Sequence, residues 1–549
     1  MADRPQVNGT IEDHNAVPHL PSESEMSESP LSARPSTVSS HDSVAALFPN
    51  GSETDCVDST SESLDSPGHH PFADGDSVNL EHVIQLSSIE QCMPRAYIRI
   101  CLSYRMPDTT PCSDVVQRLN NFIRKTVDAK PYLAGHVVAA GNSDSRVGAV
   151  EIRFSEQDYL DYTGVSVRHL TWDEVPYTYD QLDSMHLPPS VIKPDLVSAL
   201  TESADDDRAP VFRVQANFVQ GGVIVSFYLH HCISDGTGIS LLLSGSVLKD
   251  DFRFVRYLDT NGQDSPSLSM RLATFANYKS VVRKELSWSN HNQIHSRQLR
   301  CRILNSGAPE VKPPVKGRGC VVAFSLRELD RLKNMLEDHE HSTFMTSNDV
   351  LQALLWHSMM KARIPSLASS TTVTTSKLLI PTNIRNRLRN RLPDHYFGAA
   401  IDFASAQMPL DEISRDDLST LVKAAKEIRR AINNVDEPYI RQAITVSMFA
   451  DVNCDVRDLQ ASNMDRSNGA DMYITSWEKL EGYESTLGLE LGQPDWVRKP
   501  WSRDPGSCIV LPFDARKDYL EVVIQMTEAD MERLLEDQNF RSYVVKVID

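Results

Sequence analysis

The sequence predicts an α/β protein with two lobes, and three observations support this prediction. The chain has 549 residues, which is more than one compact hydrophobic core usually holds. Segments with the two-residue period of strands alternate with segments of helical period, and no glycine-rich nucleotide-binding loop connects them. A polar, irregular stretch rich in Asn, Ser, Gly and Pro covers residues 284–318, and we interpret it as the crossover between the lobes.

The first 77 residues do not have the composition of a folded segment. Residues 1–76 contain fourteen Asp or Glu and two Arg among dense Ser, Pro and Gly. Such a stretch cannot bury enough apolar surface to offset the entropy lost on ordering, so we predict a disordered acidic segment at 1–77. It carries about −12 of the formal net charge of −20. The moderately acidic remainder argues against nucleic acid or an anionic membrane as a partner.

Cysteine usage and the termini favour a cytoplasmic protein. The nine cysteines form neither a CxxC pair, nor a Cys/His zinc pattern, nor a disulfide framework, so we expect reduced thiols and no bound metal. The start of the chain lacks a basic and then apolar signal segment, and no apolar run approaches the length of a membrane span. We expect neither nucleic acid nor a membrane as a partner, and we expect the protein to be a monomer.

The predicted first lobe spans residues 78–283. Residues 89–104 have the apolar character of a strand, and residues 115–127 have helical spacing. The apolar face of that helix consists of Val116, Leu119, Phe122 and Ile123. A hairpin follows, with strands at 211–219 and 223–231 around the turn at 220–222.

The predicted second lobe spans residues 319–549. Residues 347–363 and 418–435 have helical periodicity, and residues 519–526 have the pattern of a strand. Thr527 is the expected N-cap of a helix at 527–537, because an acidic residue follows three positions later.

The most informative segment is HHCISDGTG, residues 230–238, at the end of the second hairpin strand. We predict a turn at Ser234, Asp235 and Gly236, with a positive φ at the glycine. His231 would then lie at the end of the strand, where an imidazole of ordinary pKa near 6.5 can accept a proton from a hydroxyl. Asp235 is better placed to lock the loop through an ion pair than to reach a substrate.

Two other interpretations of this segment remain open. His231 could be a structural histidine beside an Asp-Gly turn, because short motifs often occur by chance. His230, His231 and Cys232 could bind a metal ion, although consecutive strand residues point to opposite faces and no second ligand cluster is near in sequence.

HHCISDGTG resembles the HxxxDG signature of BAHD acyltransferases, and it also matches the HHxxxDG of peptide-synthetase condensation domains. Both groups belong to the chloramphenicol-acetyltransferase-like superfamily. Further segments resemble the fungal branch of the first group, which includes trichothecene O-acetyltransferase, in the order found there. They are IEQCMPRAYIRI, KPYLAG, SNDVLQALLW, YFGAAI, YITSWEKL and LGQPDWVRKPW. The resemblance covers about residues 78–549.

The resemblance implies two chloramphenicol-acetyltransferase-like lobes, each a mixed β-sheet with flanking helices, joined by the crossover loop. It also implies an acyl-CoA-dependent O-acyltransferase acting on a hydroxyl of a secondary metabolite. No cofactor would be bound permanently, and acyl-CoA, with acetyl-CoA as the expected donor, would be the co-substrate. His231 would be the general base and then the acid that protonates the departing thiolate, without an acyl-enzyme.

The resemblance assigns roles to further residues. Asp235 would be structural and would pair with Arg385, and Gly236 would be the loop glycine. Thr475 and Trp477 would line the position where the oxyanion forms, although Trp477 could equally be core packing. The neighbouring arginines would form either a solvated basic patch, which we favour, or a site that attracts the phosphates of CoA; they are Arg387, Arg389 and Arg391.

Two segments depart from the family pattern. The DFGWG motif is altered here, with Thr486, Leu487 and Glu490 around the retained Gly488. The YFGN motif ends in Ala399 instead of Asn. We expect these changes to affect rigidity and CoA access more than the chemistry. They leave open a catalytically weak or inactive metabolite-binding protein as an alternative function. The HHxxxDG match leaves open a second alternative, a condensation-type N-acyltransferase.

Overall fold

The computed structural model describes most of the chain from residue 81 onward. The described ranges are 81–141, 147–198, 200, 208–248, 317–340, 345–367, 374–388, 392–449, 469–500 and 505–549. The segment predicted to be disordered and residues 284–316 of the predicted crossover lie outside them. The division at 77, 283 and 318 therefore stays a prediction.

The first half of the described chain contains eight strands. They are β1 (His82–Gln85), β2 (Tyr97–Arg105), β3 (His136–Ala139), β4 (Val150–Phe154), β5 (Val165–His169), β6 (Arg208–Pro210), β7 (Phe212–Val219) and β8 (Gly222–His230). The helices here are α1 (Ser88–Gln91), α2 (Cys112–Ala129), α3 (Glu156–Leu160), α4 (Tyr179–Ser184), α5 (Pro194–Val197) and α6 (Gly236–Leu243), with a 3₁₀ turn at Pro131–Ala134.

The second half of the described chain contains the remaining elements. Its strands are β9 (Gly317–Ser325), β10 (Thr375–Asn383), β11 (Ile401–Pro409), β12 (Met472–Ser476), β13 (Trp496–Arg498), β14 (Ser507–Val510), β15 (Tyr519–Thr527) and β16 (Val544–Ile548). Its helices are α7 (Leu326–Glu340), α8 (Ser347–Leu367), α9 (Leu410–Ile413), α10 (Leu418–Asn433), α11 (Glu437–Phe449), α12 (Glu528–Glu536) and α13 (Gln538–Arg541).

Among the described residues the strands form three sheets. The first lobe has the orders β1-β4-β3-β6 and β13-β2-β8-β7-β5, and the second lobe has the order β11-β10-β12-β14-β15-β9-β16. Parallel pairs, such as β5 with β7 and β10 with β12, occur beside antiparallel ones. The five-stranded and seven-stranded sheets are therefore mixed, as predicted, whereas β1-β4-β3-β6 is antiparallel throughout. Strand β13 lies late in the chain but pairs with β2 of the first lobe, with Trp496 opposite Ser103.

The two faces of the second lobe's sheet bury different partners. One face packs beneath the helices in a core that includes Trp356, Met472 and Ile474. The other face contributes Ile509 and Val523 to the core of the first lobe. Because side chains alternate along a strand, this pattern orients one side of β12 and β14 toward the first lobe.

The strongly patterned elements agree with prediction, and one does not. Strands β7 and β8 form the predicted hairpin, with Val219 opposite Gly222, and Thr527 caps α12 by accepting a hydrogen bond from the Asp530 N–H. The prediction of a strand from residue 89 is wrong. Ser87 and Glu90 form a reciprocal capping box that begins α1, and the strand starts only at Tyr97, beyond Pro94.

Candidate active site

His231 lies directly after the buried strand β8. Its backbone N–H donates to the Ala96 carbonyl at 2.8 Å, and the Ile233 N–H donates to the His230 carbonyl at 2.9 Å. These bonds end the strand and turn the chain into α6. The His231 residue is partly exposed, whereas residues 232–235 are buried. The turn therefore places a partly exposed histidine on a backbone that these hydrogen bonds hold.

Asp235 is the N-cap of α6, and its carboxylate is fully engaged. Within the described part of the chain, Oδ1 accepts from the backbone N–H groups of Thr237 at 2.9 Å and Gly238 at 3.3 Å. Oδ2 accepts from the Ala400 N–H at 2.8 Å. Arg385 adds a bidentate pair, Nη1 to Oδ2 at 2.8 Å and Nη2 to Oδ1 at 3.0 Å. Five donors saturate a carboxylate, so Asp235 holds the loop.

Arg385 follows β10 and ties the second lobe to this loop. The side chains of Arg385 and Asp235 are each only 1% exposed. The Arg385 Nη2 also donates to the carbonyls of Tyr396 at 3.0 Å and Gly398 at 2.8 Å. A buried ion pair is tolerated only when hydrogen bonds satisfy both partners, and both partners are satisfied here. The structure thus brings Asp235 and Arg385 together.

The prediction that Gly236 takes a positive φ is wrong. Gly236 is the first residue of α6, and it is absent from the described glycines with left-handed φ. The glycine that the turn requires is Gly238. A Cβ there would lie 1.7 Å from Ser234 Oγ and 2.8 Å from the Phe397 carbonyl oxygen. Ser234 Oγ itself donates to that carbonyl, which explains the close approach.

The environment of His231 favours a neutral imidazole. Burial lowers the pKa of His231 below its ordinary value, and the nearby Asp235 charge opposes this only in part. Its Nδ1 atom is buried and has no hydrogen-bond partner among the described residues. When Nδ1 carries the hydrogen, Nε2 has the free lone pair. Because its pKa lies below the ordinary value, the ring is in this neutral base form at pH 7.

His230 has a different surrounding. It is fully buried, its Nδ1 accepts from the Cys232 N–H at 3.2 Å, and its ring meets Tyr97 edge-on with centroids 5.5 Å apart. Burial, with Arg95 nearby, lowers the pKa of His230 to about 3. Among the described residues no group of three or more His, Cys, Asp or Glu side chains could hold a metal ion.

Thr475 and Trp477 lie at the end of β12. Met472 and Ile474 of this strand belong to the helix-covered core, so the alternate residue Thr475 faces the first lobe; it is partly exposed. The Trp477 side chain is buried in the first lobe's core. The backbone N–H of Trp477 donates to the Val510 carbonyl at 2.8 Å. The packing interpretation of Trp477 therefore has support, and a lining role is compatible with it.

The altered DFGWG segment keeps an unusual backbone. Leu487, Gly488, Glu490 and Gly492 have φ values of 48°, 64°, 59° and 82°. Leu487 and Leu489 are buried, so aliphatic side chains fill this part of the core. Arg118 stabilises the backbone around Glu490. Its Nη1 donates to the Leu489 carbonyl at 3.1 Å, and its Nη2 forms an ion pair with Glu490 at 2.8 Å.

This segment also contacts the helix that follows His231. The Ser485 Oγ donates to the Leu243 carbonyl of α6 at 2.6 Å, and the Tyr104 hydroxyl donates to the Ser485 carbonyl at 2.8 Å. The departures from the family pattern thus leave an ordered segment packed on α6 and β2.

In the basic cluster after β10, the structure describes Arg387. Arg387 is not part of a solvated patch, because its Nη1 donates to the carbonyls of Ile432 at 2.7 Å and Val435 at 2.9 Å. These carbonyls lie at the C-terminal end of α10, where a cation is stabilising. Arg389 and Arg391 lie outside the described residues.

Comparisons with known proteins agree with this fold. Residues 177–541 match the Transferase family, and residues 96–245 match the Trichothecene 3-O-acetyltransferase-like N-terminal domain. The chain belongs to the Transferase family, the BAHD acyltransferases, and it is an acyltransferase.

Similar proteins cover nearly the same length. Eremophilane O-acetyltransferase ORF8 of Penicillium roqueforti is 23% identical over 84% of this chain and 98% of its own. Acyltransferase easC of Emericella nidulans is 25% identical over 84% and 95%. Trichothecene 3-O-acetyltransferase of Saccharomyces cerevisiae is 24% identical over 82% and 93%.

Solved structures share the fold. F. graminearum TRI101, complexed with coenzyme A and deoxynivalenol, superposes with a TM-score of 0.65 at 18% identity over 85% of this chain and 100% of that one. F. sporotrichioides TRI101, complexed with coenzyme A and T-2, gives 0.64 at 19% identity over the same shares. The predicted two-lobed fold is confirmed. Among the described residues, no helix is long and apolar enough to cross a membrane.

Proposed function

We propose that the protein transfers an acyl group from acyl-CoA, with acetyl-CoA as the expected donor, to a hydroxyl of a secondary metabolite. His231 is the general base. The observation that carries the proposal is the placement of this partly exposed histidine directly before a loop that is held by the buried, saturated Asp235–Arg385 pair. A base must be held in place and be unprotonated at the working pH; the bonds of Asp235 fix the loop that follows His231, and burial lowers the pKa of His231.

The reaction proceeds in two steps. Nε2 of His231 takes the proton of the acceptor hydroxyl while the oxygen attacks the thioester carbonyl. The tetrahedral intermediate then collapses, the carbon–sulfur bond breaks, and the imidazolium returns the proton to the CoA thiolate. No acyl-enzyme forms, and no metal takes part.

Thr475 and Trp477 are the proposed oxyanion-side residues. Thr475 has the right orientation for this role, because it lies at the end of β12 on the side that faces the first lobe. Its hydroxyl can donate to a developing oxyanion, and such donors act strongly where water is excluded. Trp477 shapes the wall behind it.

The relatives guide the choice of acceptor. Their names specify eremophilane and trichothecene O-acetylation, so the acceptor we propose is a hydroxylated secondary metabolite. Oxygen is favoured over nitrogen as the attacking atom because two of the three relatives named above are O-acetyltransferases.

The experiment follows CoA release from acetyl-CoA and longer acyl-CoAs with a panel of hydroxylated and amine metabolites, together with product masses. Wild type should add an acyl group to an alcohol. His231→Ala should lose about 10²–10⁴-fold in rate, whereas His339→Ala, at an exposed position on α7, should be unchanged. Equal turnover in wild type and His231→Ala would refute the proposal. A protein that binds the metabolite equally well in both forms, without turnover, would be a binding protein.

A further inference from the structure

A hydrogen bond connects the two lobes close to the His231 turn. Glu90 lies in α1 of the first lobe and is 2% exposed. Its Oε1 accepts from the Tyr396 hydroxyl of the second lobe at 3.2 Å, while Oε2 accepts from the Ser87 N–H at 2.8 Å. Burial and the nearby Glu90 charge raise the pKa of Tyr396 well above its ordinary value. The phenol therefore stays protonated and remains a donor.

Tyr396 begins a segment that wraps around the catalytic loop. The Phe397 carbonyl accepts from Ser234, and the Ala400 N–H donates to Asp235. The carbonyls of Tyr396 and Gly398 both accept from Arg385. Residues 396–400 thus contact both Ser234 and Asp235, which lie three and four positions after His231.

The contact between Glu90 and Tyr396 leaves no spare room. A Cβ added at Gly398 would lie 2.4 Å from the Tyr396 hydroxyl oxygen and 2.5 Å from Glu90 Oε1. The segment can pass between these groups only because residue 398 has no side chain. A small displacement of Tyr396 or Glu90 must therefore shift residues 396–400, which hold the Ser234–Asp235 turn.

We propose that Glu90 and Tyr396 are positioning residues for His231. Their hydrogen bond fixes residues 396–400 against the first lobe, and those residues in turn fix the Ser234–Asp235 turn that aims the imidazole. This role rests on the proposed function of His231 as the base. Neither residue is assigned a contact with substrate, so both act through the loop.

The test compares two variants that each remove one partly buried phenol–carboxylate hydrogen bond. Tyr396→Phe should lower kcat about 10-fold and leave the KM for acyl-CoA unchanged, because a small misalignment of a base slows chemistry without weakening substrate binding. Tyr179→Phe is the matched control. The Tyr179 hydroxyl donates to Asp495 at 2.8 Å, between α4 and the segment before β13, and lies 3.1 Å from the Ser103 hydroxyl. Tyr179→Phe should lower the melting temperature as much as Tyr396→Phe does and leave kcat unchanged.

A double variant checks that the two groups act together. In the Tyr396→Phe background, Glu90→Gln should lower kcat little further, because the bond that it weakens is already absent. If Tyr396→Phe does not fold, Glu90→Gln alone serves the test, with a smaller fall since a neutral amide is the weaker acceptor. Unchanged kcat in the folded variant, or an equal fall in Tyr179→Phe, overturns the proposal.

An NMR titration of the histidines, with His231 assigned by its loss in His231→Ala, separates this proposal from the proposed function. In Tyr396→Phe the pKa of His231 should rise toward its ordinary value as water reaches the loosened turn; in Tyr179→Phe it should not move. If wild type transfers no acyl group, the proposed function fails, and the titration still decides positioning. An unmoved His231 pKa in Tyr396→Phe then overturns it.

Discussion

Replacing Asp235 with Asn removes the charge at the centre of the loop and leaves the shape nearly unchanged. If the amide oxygen takes the place of Oδ1, it keeps the bonds from Thr237 and Gly238. The amide NH₂ then faces two donors, Arg385 Nη1 and the Ala400 N–H, each 2.8 Å from the original oxygen. The Arg385 charge, 1% exposed, is left without a counter-ion.

The expected cost follows from these losses. An unsatisfied buried donor costs about 1–3 kcal/mol, and removing one partner of a buried ion pair costs about 3–5 kcal/mol in total. We expect Asp235→Asn to lower the free energy of unfolding by about 3–5 kcal/mol and to reduce kcat, because the turn that aims His231 loses two of its bonds.

The assay is urea unfolding followed by circular dichroism, with kcat measured on the same preparations. Asp411→Asn is the control, because its ion pair with Arg415 is largely exposed and exposed pairs contribute little. The double variant Asp235→Asn/Arg385→Met should recover part of the stability, since no charge remains unpaired, but not the activity. An Asp235→Asn protein with the unfolding midpoint and rate of wild type would refute this reasoning.

Three further predictions concern other positions. Gly238→Ala should destabilise the protein by about 1–3 kcal/mol through overpacking and abolish turnover. Gly236→Ala should be tolerated, because among the described residues its Cβ would contact Leu480 alone, at 3.7 Å. Equal effects of the two variants in denaturant titrations would contradict this prediction. Glu490→Gly should raise the free energy of unfolding by about 1 kcal/mol, because a non-glycine residue at φ 59° is strained. The exposed ion pair with Arg118, which this variant removes, contributes little. A lower free energy of unfolding in the variant would contradict this prediction. Burial raises the pKa of Asp402 to about 6, above its unfolded value of about 3.8. As the pH rises from about 4 to 6, the free energy of unfolding of wild type should therefore fall by about 1–2 kcal/mol relative to that of Asp402→Asn. Parallel curves of unfolding free energy against pH for the two proteins would contradict this prediction.

The sequence predicted the elements whose pattern is local. The hairpin of β7 and β8, helix α2 and the Thr527 cap could be predicted because periodicity and capping depend on neighbouring residues. The error at residue 89 was avoidable, since Ser87 and Glu90 have the spacing of a capping box. The error at Gly236 has the same origin, because Asp235 is a good N-cap residue and the glycines beside it conceal the helix.

Other features depend on contacts between distant parts of the chain. The resemblance supplied Arg385 as the partner of Asp235, 150 positions away, and no local pattern contains that information. The bonds from Ala400 to Asp235, from Tyr396 to Glu90 and from Ser485 to Leu243 have no sequence signature of their own. The same holds for β13, which joins the first lobe's sheet from the other end of the chain.

The most direct test of the account is the pH profile of kcat/KM for acyl transfer in wild type and His231→Ala. Because a lowered pKa keeps the imidazole neutral, wild type should rise with pH along a limb whose midpoint lies below about 6.5 and be level at pH 7. The residual rate of His231→Ala should lack that limb. A limb that persists in His231→Ala, at the rate of wild type, would contradict the assignment of His231 as the base.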